Sequence, residues 1–142
     1  MKMAIGADHG GFELKELLKK QLAERKIEVE DVGTFSMEST DYPDQARAVA
    51  ERVVAGRADQ GLLVCTTGIG MSIAANRHRG IRAAVCATAD MARLSREHND
   101  ANVICLGRRI LSLDACLELL NIWLDTPFSG GERHCRRVEK LG

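Results

Sequence analysis

The segment GLLVCTTGIGMSIAANR, residues 61–77, carries the side chain with the clearest chemical potential in this sequence, the thiol of Cys65. A continuous apolar run typical of a buried strand ends at Cys65, and small residues that predict a helix follow. Backbone N–H groups in such a strand-to-helix loop, helped by the helix dipole, suit a phosphate or a developing oxyanion. A helix N-terminus also stabilises a thiolate, which can act as nucleophile or general base.

Two better-known loop motifs are incomplete in this segment. A dinucleotide fingerprint needs GxGxxG, but Ile73 stands where the third glycine belongs, and the phosphate-loop string GxxxxGK[ST] does not occur. The alternative for Cys65 is structural, because a cysteine that ends a buried strand is often only a small hydrophobic residue.

Charged and imidazole side chains elsewhere in the chain could complete a site. His9 and His98 are candidates to activate a cysteine, although a histidine at a helix end can instead face the helix dipole. Arg133 and Arg137 are four residues apart, so one helix face presents two guanidinium groups that suit a phosphate or form a solvated basic face. Asp8 either serves the site or caps a helix that begins near Gly11.

The elements that position these residues follow from the periodicity of apolar side chains. Strands are predicted at 2–7, 27–34, 61–65, 81–87 and 102–107, and helices at 12–25, 44–56, 71–78, 89–99, 113–125 and in the tail 132–142. The second strand has an edge-type pattern and the last three are predicted to be buried, while Pro43 is expected to break any helix and leave 36–44 as an exposed loop. This alternation predicts a single-domain α/β fold, a three-layer, doubly wound, Rossmann-like parallel sheet of five strands with helices on both faces. Ligands bind beyond the carboxyl ends of such strands, where DHGG, CTTGIG and GRR lie.

Composition excludes several classes of protein. The 142 residues are 45% hydrophobic and 28% charged, and 20 basic residues balance 20 acidic ones, so no net field favours nucleic acid or an anionic membrane. No apolar run is long enough to span a membrane, and the N-terminal apolar stretch is too short for a signal peptide. An odd number of cysteines without CxxC spacing argues against disulfides and structural zinc, and favours reduced thiols in the cytoplasm: Cys65, Cys86, Cys105, Cys116 and Cys135.

Several strings together resemble the ribose-5-phosphate isomerase B family, which includes the galactose-6-phosphate isomerase subunits. They are ADHGGFELK, DYPD, VCTTGIGMSIAANR, GIRAAVC, SREHNDANV, GRR and GGERHCRRVEKLG, and the likeness runs from residue 3 to the tail. The resemblance implies aldose–ketose isomerisation through an enediolate without a metal or another cofactor.

The resemblance also implies roles for individual residues. Cys65 is the base, His98 the acid that opens the furanose ring, Asp8 assists near the ring oxygen, and Asn99 binds toward the reacting end. The enediolate oxygens are held by the hydroxyl of Thr67 and by backbone N–H groups of the loop residues Thr66, Thr67, Gly68, Ile69 and Gly70. The phosphate is bound by His9, Arg109, Arg133 and Arg137, and Tyr42 lies near the substrate.

The family's quaternary structure implies a homodimer or tetramer with sites built from both subunits. Residues 1–142 then form one isomerase domain whose tail, 127–142, contributes phosphate ligands. Two positions depart from the family pattern: Thr66 replaces a glycine, and Glu132 separates Gly131 from Arg133. A β-branched residue excludes most positive-φ conformations, so Thr66 is expected to alter the loop or the volume of the pocket.

Four functions are therefore weighed. The first is isomerisation of ribose 5-phosphate and ribulose 5-phosphate, and the second is isomerisation of a six-carbon sugar phosphate such as allose 6-phosphate or galactose 6-phosphate. The third is a non-catalytic sugar-phosphate-binding module, which would not need the thiol of Cys65. The fourth, a dinucleotide oxidoreductase, is disfavoured by Ile73.

Overall fold

A parallel sheet of five strands lies at the centre of the protein, with helices on both faces. The computed structural model describes residues 1–142, and the sheet order is β2-β1-β3-β5-β4. The strands are β1 Lys2–Ala7, β2 Glu28–Gly33, β3 Gln60–Cys65, β4 Ala83–Val85 and β5 Val103–Gly107. The helices are α1 Phe12–Glu24, α2 Tyr42–Val54, α3 Ile69–Ala75, α4 Ala89–Asn99, α5 Leu113–Asp125 and α6 Glu132–Leu141. The predicted fold class is confirmed, and β2 lies at an edge as its pattern indicates.

The strand order reverses between β1 and β3, which creates the crevice where doubly wound sheets bind ligands. In the parallel register Ala7 pairs with Val64, and Cys65 pairs with Gly107. The three loops DHGG, CTTGIG and GRR therefore leave the sheet side by side at its carboxyl edge.

The core has two layers, one on each face of the sheet. Leucines spaced by four residues in α1 and the apolar stripe of α5 cover one face, and α2 and α3 cover the other. The first layer includes Leu14, Leu18, Leu22, Leu119, Leu120 and Trp123, and the second includes Val49, Ala50, Met71 and Ala75. None of the helices is long and apolar enough to cross a membrane.

The prediction that Pro43 breaks any helix is wrong, because α2 begins at Tyr42 with Pro43 in its first turn. N–H groups in the first turn have no acceptor within the helix, so a proline there loses no hydrogen bond, and its fixed φ suits the helix. The exposed loop is correspondingly shorter and ends at Asp41.

The predicted buried strand at 81–87 is also corrected, because β4 has only three residues and lies half-buried at an edge of the sheet. Its outer backbone groups are bound by a side chain: Asn76 donates through Nδ2 to the Ala83 carbonyl at 2.9 Å and accepts from the Ala83 N–H at 2.8 Å. An amide cap of this kind blocks further strand pairing, which sequence periodicity does not predict.

Candidate active site

The loop after β3 wraps its backbone around the sulfur of Cys65. The Gly68 N–H donates to Cys65 Sγ at 3.1 Å, and the Cys65 residue is only 5% exposed. Gly68 can turn back toward the sulfur because its φ is +82°, a left-handed value that glycine adopts without strain. This N–H group fixes the position of the sulfur at the mouth of the loop.

Other donors of this loop point away from the fold. The N–H groups of Thr66, Thr67 and Gly70 make no hydrogen bond within the chain, while the Ile69 N–H donates to Thr67 Oγ1 at 3.2 Å. Together with the N-terminus of α3, these groups form a concentration of donors beside Cys65. Such an arrangement suits negative charge that develops on a substrate oxygen.

The GRR turn after β5 supports the loop from the other side. Arg108 N–H donates to the Cys65 carbonyl and Arg109 N–H to the Thr66 carbonyl, both at 2.9 Å. A Cβ on Gly107 would lie 2.4 Å from the Thr67 carbonyl oxygen, so only glycine permits this approach. The exposed side chain of Arg109 therefore starts beside the Cys65 loop, as predicted.

The DHGG segment closes the site on the β1 side. The Asp8 carboxylate accepts the Gly11 N–H through Oδ1 at 3.0 Å, so it caps the short 3₁₀ turn His9–Gly11 that leads into α1 rather than α1 itself, and Oδ2 makes no hydrogen bond within the chain. A Cβ on Gly10 would lie 3.7 Å from Thr66 Oγ1, which shows that the Thr66 side chain faces this segment.

Thr66 does not distort the backbone. The only residues other than glycine with positive φ are Lys26 and Asp100, so Thr66 has an ordinary φ that a β-branched residue can adopt. The expected effect of threonine on the loop and on the volume of the pocket stays a prediction, and the side chain itself lies beside Gly10.

His9 and Tyr42 border the same loops. The Thr40 N–H donates to His9 Nδ1 at 3.1 Å, which in a neutral ring leaves the proton on Nε2. The Tyr42 ring covers Gly70, since a Cβ there would lie 2.6 Å from Tyr42 Cε1. The predicted residues at this edge, here named the carboxyl-edge group, are Asp8, His9, Tyr42, Cys65, Thr66, Thr67, Gly68, Ile69, Gly70 and Arg109.

His98 and Asn99 lie at the opposite edge of the sheet. They end α4, which returns from the carboxyl end of β4 to the start of β5, where Gly61 N–H donates to the Asn102 carbonyl at 2.8 Å. Gly61 and Cys65 are four positions apart along β3, which is about 13 Å at the rise of a parallel strand. A surface cavity of about 450 Å³ is lined by Asn99 but by no member of the carboxyl-edge group.

The tail helix α6 places basic side chains beside His98. The ring of His134 stacks on that of His98 with a centroid distance of 4.5 Å and an interplanar angle of 8°. Desolvation lowers the pKa of His134, and the charges of His98, Arg133 and Arg137 lower it further. We name His98, Asn99, Arg133 and Arg137, with His134, the amino-edge group.

Two neighbours of the predicted residues were missed by the sequence analysis. His134 could have been singled out, because it follows Arg133 in the quoted tail string, but its stacking partner is 36 positions away in the chain. The Thr40 contact with His9 involves a backbone N–H, for which side-chain patterns give no indication. No three His, Cys, Asp or Glu side chains of the chain converge to hold a metal ion.

The site is a thiol inside a loop rich in N–H donors, at the carboxyl edge of a doubly wound sheet. Comparisons with known proteins show to which family a chain with this site belongs. The sequence profile of the family described as Ribose/Galactose Isomerase matches residues 3–141. Ribose-5-phosphate isomerase B of Escherichia coli (strain K12) is 48% identical over 140 residues, which cover 99% of this chain and 93% of that protein.

Solved structures are similar over the same length. Ribose-5-phosphate isomerase B of Clostridium thermocellum has a TM-score of 0.98 at 52% identity and covers 100% of this chain and 95% of its own. The type B ribose 5-phosphate isomerase of Trypanosoma brucei has a TM-score of 0.95 at 48% identity, with coverages of 99% and 95%. The chain therefore belongs to the ribose/galactose isomerase family.

Proposed function

We propose that this protein is an aldose–ketose isomerase that interconverts ribose 5-phosphate and ribulose 5-phosphate without a metal. The observation that carries the proposal is the bond from the Gly68 N–H to Cys65 Sγ at 3.1 Å, in a loop where the N–H groups of Thr66, Thr67 and Gly70 make no hydrogen bond within the chain. A base beside oxyanion donors is what proton transfer next to a carbonyl requires. The names of the E. coli and C. thermocellum relatives support the choice of substrate.

The proposed chemistry begins on the open-chain aldose. The Cys65 thiolate removes the proton from C2, the electrons of that C–H bond form the C1=C2 double bond, and O1 takes the negative charge. The unpartnered N–H groups of Thr66, Thr67 and Gly70 and the Thr67 hydroxyl stabilise this charge, and single donors of this kind typically contribute about 3–4 kcal/mol. The O2 proton then moves to O1, the Cys65 thiol returns its proton to C1, and C2 becomes the carbonyl of the ketose.

The remaining predicted residues bind the substrate and open its ring. His98 protonates the ring oxygen, Asp8 accepts a hydrogen bond from a sugar hydroxyl through its free Oδ2, and Asn99 orients the reacting end. Tyr42 packs beside the sugar. The phosphate is bound by one imidazole and three guanidinium groups through charge-assisted hydrogen bonds. These groups belong to His9, Arg109, Arg133 and Arg137.

We propose that each site is shared between the two subunits of a cytoplasmic homodimer. About 13 Å of strand separates the carboxyl-edge group from the amino-edge group, which is too far for one sugar phosphate to be held by both within a chain. The carboxyl-edge group of one subunit would instead face the amino-edge group of the partner. Exposed apolar residues beside the Cys65 loop, Ile69 at 54% and Ile73 at 53%, would be covered in that dimer.

A six-carbon sugar phosphate is the second candidate substrate, because the family's description covers galactose as well as ribose. The Thr66 side chain faces the DHGG segment and fills space that a glycine would leave open. A binding module without catalysis is disfavoured, since it would not need an N–H group directed at the Cys65 sulfur.

The test is an assay in D₂O with ribose 5-phosphate, allose 6-phosphate and galactose 6-phosphate, followed by NMR. We expect ribulose 5-phosphate to form fastest and to carry deuterium at C1, because the thiol exchanges its proton with solvent between the two transfers. Activity in the presence of excess chelator is expected to be unchanged. The absence of turnover on all three sugars would contradict the proposal, whereas a product without deuterium would show only that the Cys65 thiol returns the C2 proton to C1 before it exchanges with solvent.

A further inference from the structure

A lysine in the interior of the protein has no part in the chemistry described above. Lys15, in α1, is completely buried, and its ammonium lies 2.6 Å from Asp31 Oδ2 and 3.4 Å from Glu16 Oε1. The ring centroids of Phe12 and Phe35 lie 5.4 Å and 5.0 Å from Nζ. A buried charge is costly to fold around unless it is paired, so a position of this kind requires an explanation.

Two partners of Lys15, Asp31 and Phe35, lie at the start of one loop, residues 34–41. Asp31 Oδ1 accepts the Gly33 N–H at 2.9 Å, and the Phe35 ring rests against Gly33. Phe35 is otherwise 70% exposed, so contact with the Lys15 ammonium is one of the few interactions that orient its ring.

The other end of this loop reaches the carboxyl-edge group. The Thr40 N–H donates to His9 Nδ1, and the next helix begins at Tyr42, whose ring covers Gly70. Residues 35–39 between the two ends are exposed, so the loop has few other restraints. The orientation of its end therefore depends on how its start is held.

We propose that Lys15 is a positioning residue for the candidate active site. Its ammonium holds Asp31 and the Phe35 ring, which fixes the start of loop 34–41 and thereby presents Thr40 to His9 and Tyr42 to Gly70. Lys15 touches no substrate and acts only through these residues. The inference rests on the proposed function because it takes His9 as a phosphate ligand. Hydrogen exchange of the Thr40 amide, the first readout, does not depend on activity.

The test compares Lys15→Met with Lys19→Met. Methionine keeps an unbranched stem in the core and removes the charge, whereas Lys19 binds the same Asp31 Oδ2 at 2.8 Å but is 32% exposed and is not stacked on Phe35. Hydrogen exchange of the Thr40 amide is measured first by NMR. We expect its protection to fall about tenfold in Lys15→Met and to be retained in Lys19→Met.

Steady-state kinetics on ribose 5-phosphate form the second readout. Lys15→Met is expected to raise KM about tenfold and to change kcat less than about threefold, because binding through His9 and Tyr42 is loosened while Cys65 is untouched. Phe35→Ala changes an exposed residue and serves as the second variant in case Lys15→Met does not fold. It is expected to cause the same loss of protection and the same rise in KM.

The proposal is overturned if the Thr40 amide stays protected and KM stays unchanged in Phe35→Ala and in a folded Lys15→Met. It is also overturned if Lys19→Met causes the same changes, since the Asp31 pair alone would then be responsible. A wild-type protein without isomerase activity would refute the proposed function, whereas the exchange measurement would still decide the role of Lys15.

Discussion

Cys65 ends β3 with its sulfur 3.1 Å from the Gly68 nitrogen, and this single bond links the position of a side chain to the conformation of a loop. Gly68 must adopt a left-handed φ of +82° for its N–H to reach the sulfur. A Cβ at this position would also approach the Leu106 carbonyl carbon to 3.2 Å, so both the turn and the close packing on β5 require glycine.

Replacing the sulfur should separate binding from catalysis. We expect Cys65→Ala to lower kcat for ribose 5-phosphate by about 10²- to 10⁴-fold, the usual contribution of a general base. The Kd of the substrate, measured by calorimetry, should change little, because the phosphate ligands and loop N–H groups remain. Turnover close to wild type in this variant would rule out Cys65 as the base.

Thr66 offers a test of substrate choice. Its side chain faces Gly10, so Thr66→Gly should open the pocket and raise the kcat/KM for allose 6-phosphate relative to ribose 5-phosphate. The free energy of unfolding should fall by no more than about 1 kcal/mol, through added freedom of the unfolded chain. Equal kcat/KM ratios in both proteins would show that Thr66 does not select the substrate.

The sequence alone could indicate which residues lie at the ends of apolar strands. It could not indicate which residues from distant segments contact the site residues. Cys65, Asp8 and Arg109 could be predicted because each ends or follows a strand at the carboxyl edge, where parallel topology brings loops together. The stacking of His134 on His98 and the Thr40 contact with His9 depend on tertiary packing between distant segments. No local pattern encodes that packing.

At the scale of elements, α4 and the tail are held together by a buried arginine. Arg96 donates to the Ala101 carbonyl at 2.6 Å, to Asp100 at 3.0 Å and to the Thr126 carbonyl at 3.2 Å, and it lies over the Trp123 ring at 5.5 Å. These contacts connect the end of α4, which carries His98, to the segment that leads into α6.

Removing this guanidinium should destabilise the protein. Arg96→Met leaves two backbone carbonyls without their donor, so we expect the free energy of unfolding to fall by about 2–4 kcal/mol in urea titrations. Arg93→Met is the matched control on the same helix, because its ion pairs with Asp90 and Glu97 are exposed, and it should cost less than about 1 kcal/mol. Equal losses in the two variants would show that Arg96 does not hold the tail.

The contact of α1 with β2 should make stability depend on pH. Burial raises the pKa of Asp31, but hydrogen bonds from Lys15 and Lys19 outweigh it and hold the pKa below its usual value. A lowered folded-state pKa stabilises the protein above the unfolded pKa of about 3.9, and that contribution is lost as the pH falls through the folded value. The difference in unfolding free energy between wild type and Asp31→Asn should therefore be constant above about pH 5 and shrink below about pH 4. A difference that does not shrink as the pH falls below about 4 would contradict this account.

Element boundaries were predictable where a capping side chain coincides with the apolar pattern. The bounds of α4 and α5 agree with prediction, and each helix begins after a capping residue, Thr88 or Ser112, whose oxygen accepts an N–H of the first turn. The start of α2 was missed because a proline in the first turn stabilises a helix and one in the middle breaks it. The length of β4 was missed because the Asn76 amide replaces a neighbouring strand.

At the scale of the whole molecule, the parallel sheet separates the site residues into two groups. Helices in this topology run antiparallel to their strands, so residues that follow strands and residues that end helices come to opposite edges. The family resemblance identified every member of both groups except His134. It could not give the distance between them, which follows only from the register of β3 and β5.

Mixed dimers test the shared site most directly. Chains with Cys65→Ala and chains with His98→Ala, each nearly inactive alone, are unfolded together in equal amounts and refolded, and isomerisation of ribose 5-phosphate is measured. Half of the dimers formed at random are mixed, and each has one intact site, so we predict recovery of about a quarter of the wild-type activity. A mixture that remains as inactive as its components would contradict a site that joins Cys65 of one subunit to His98 of its partner.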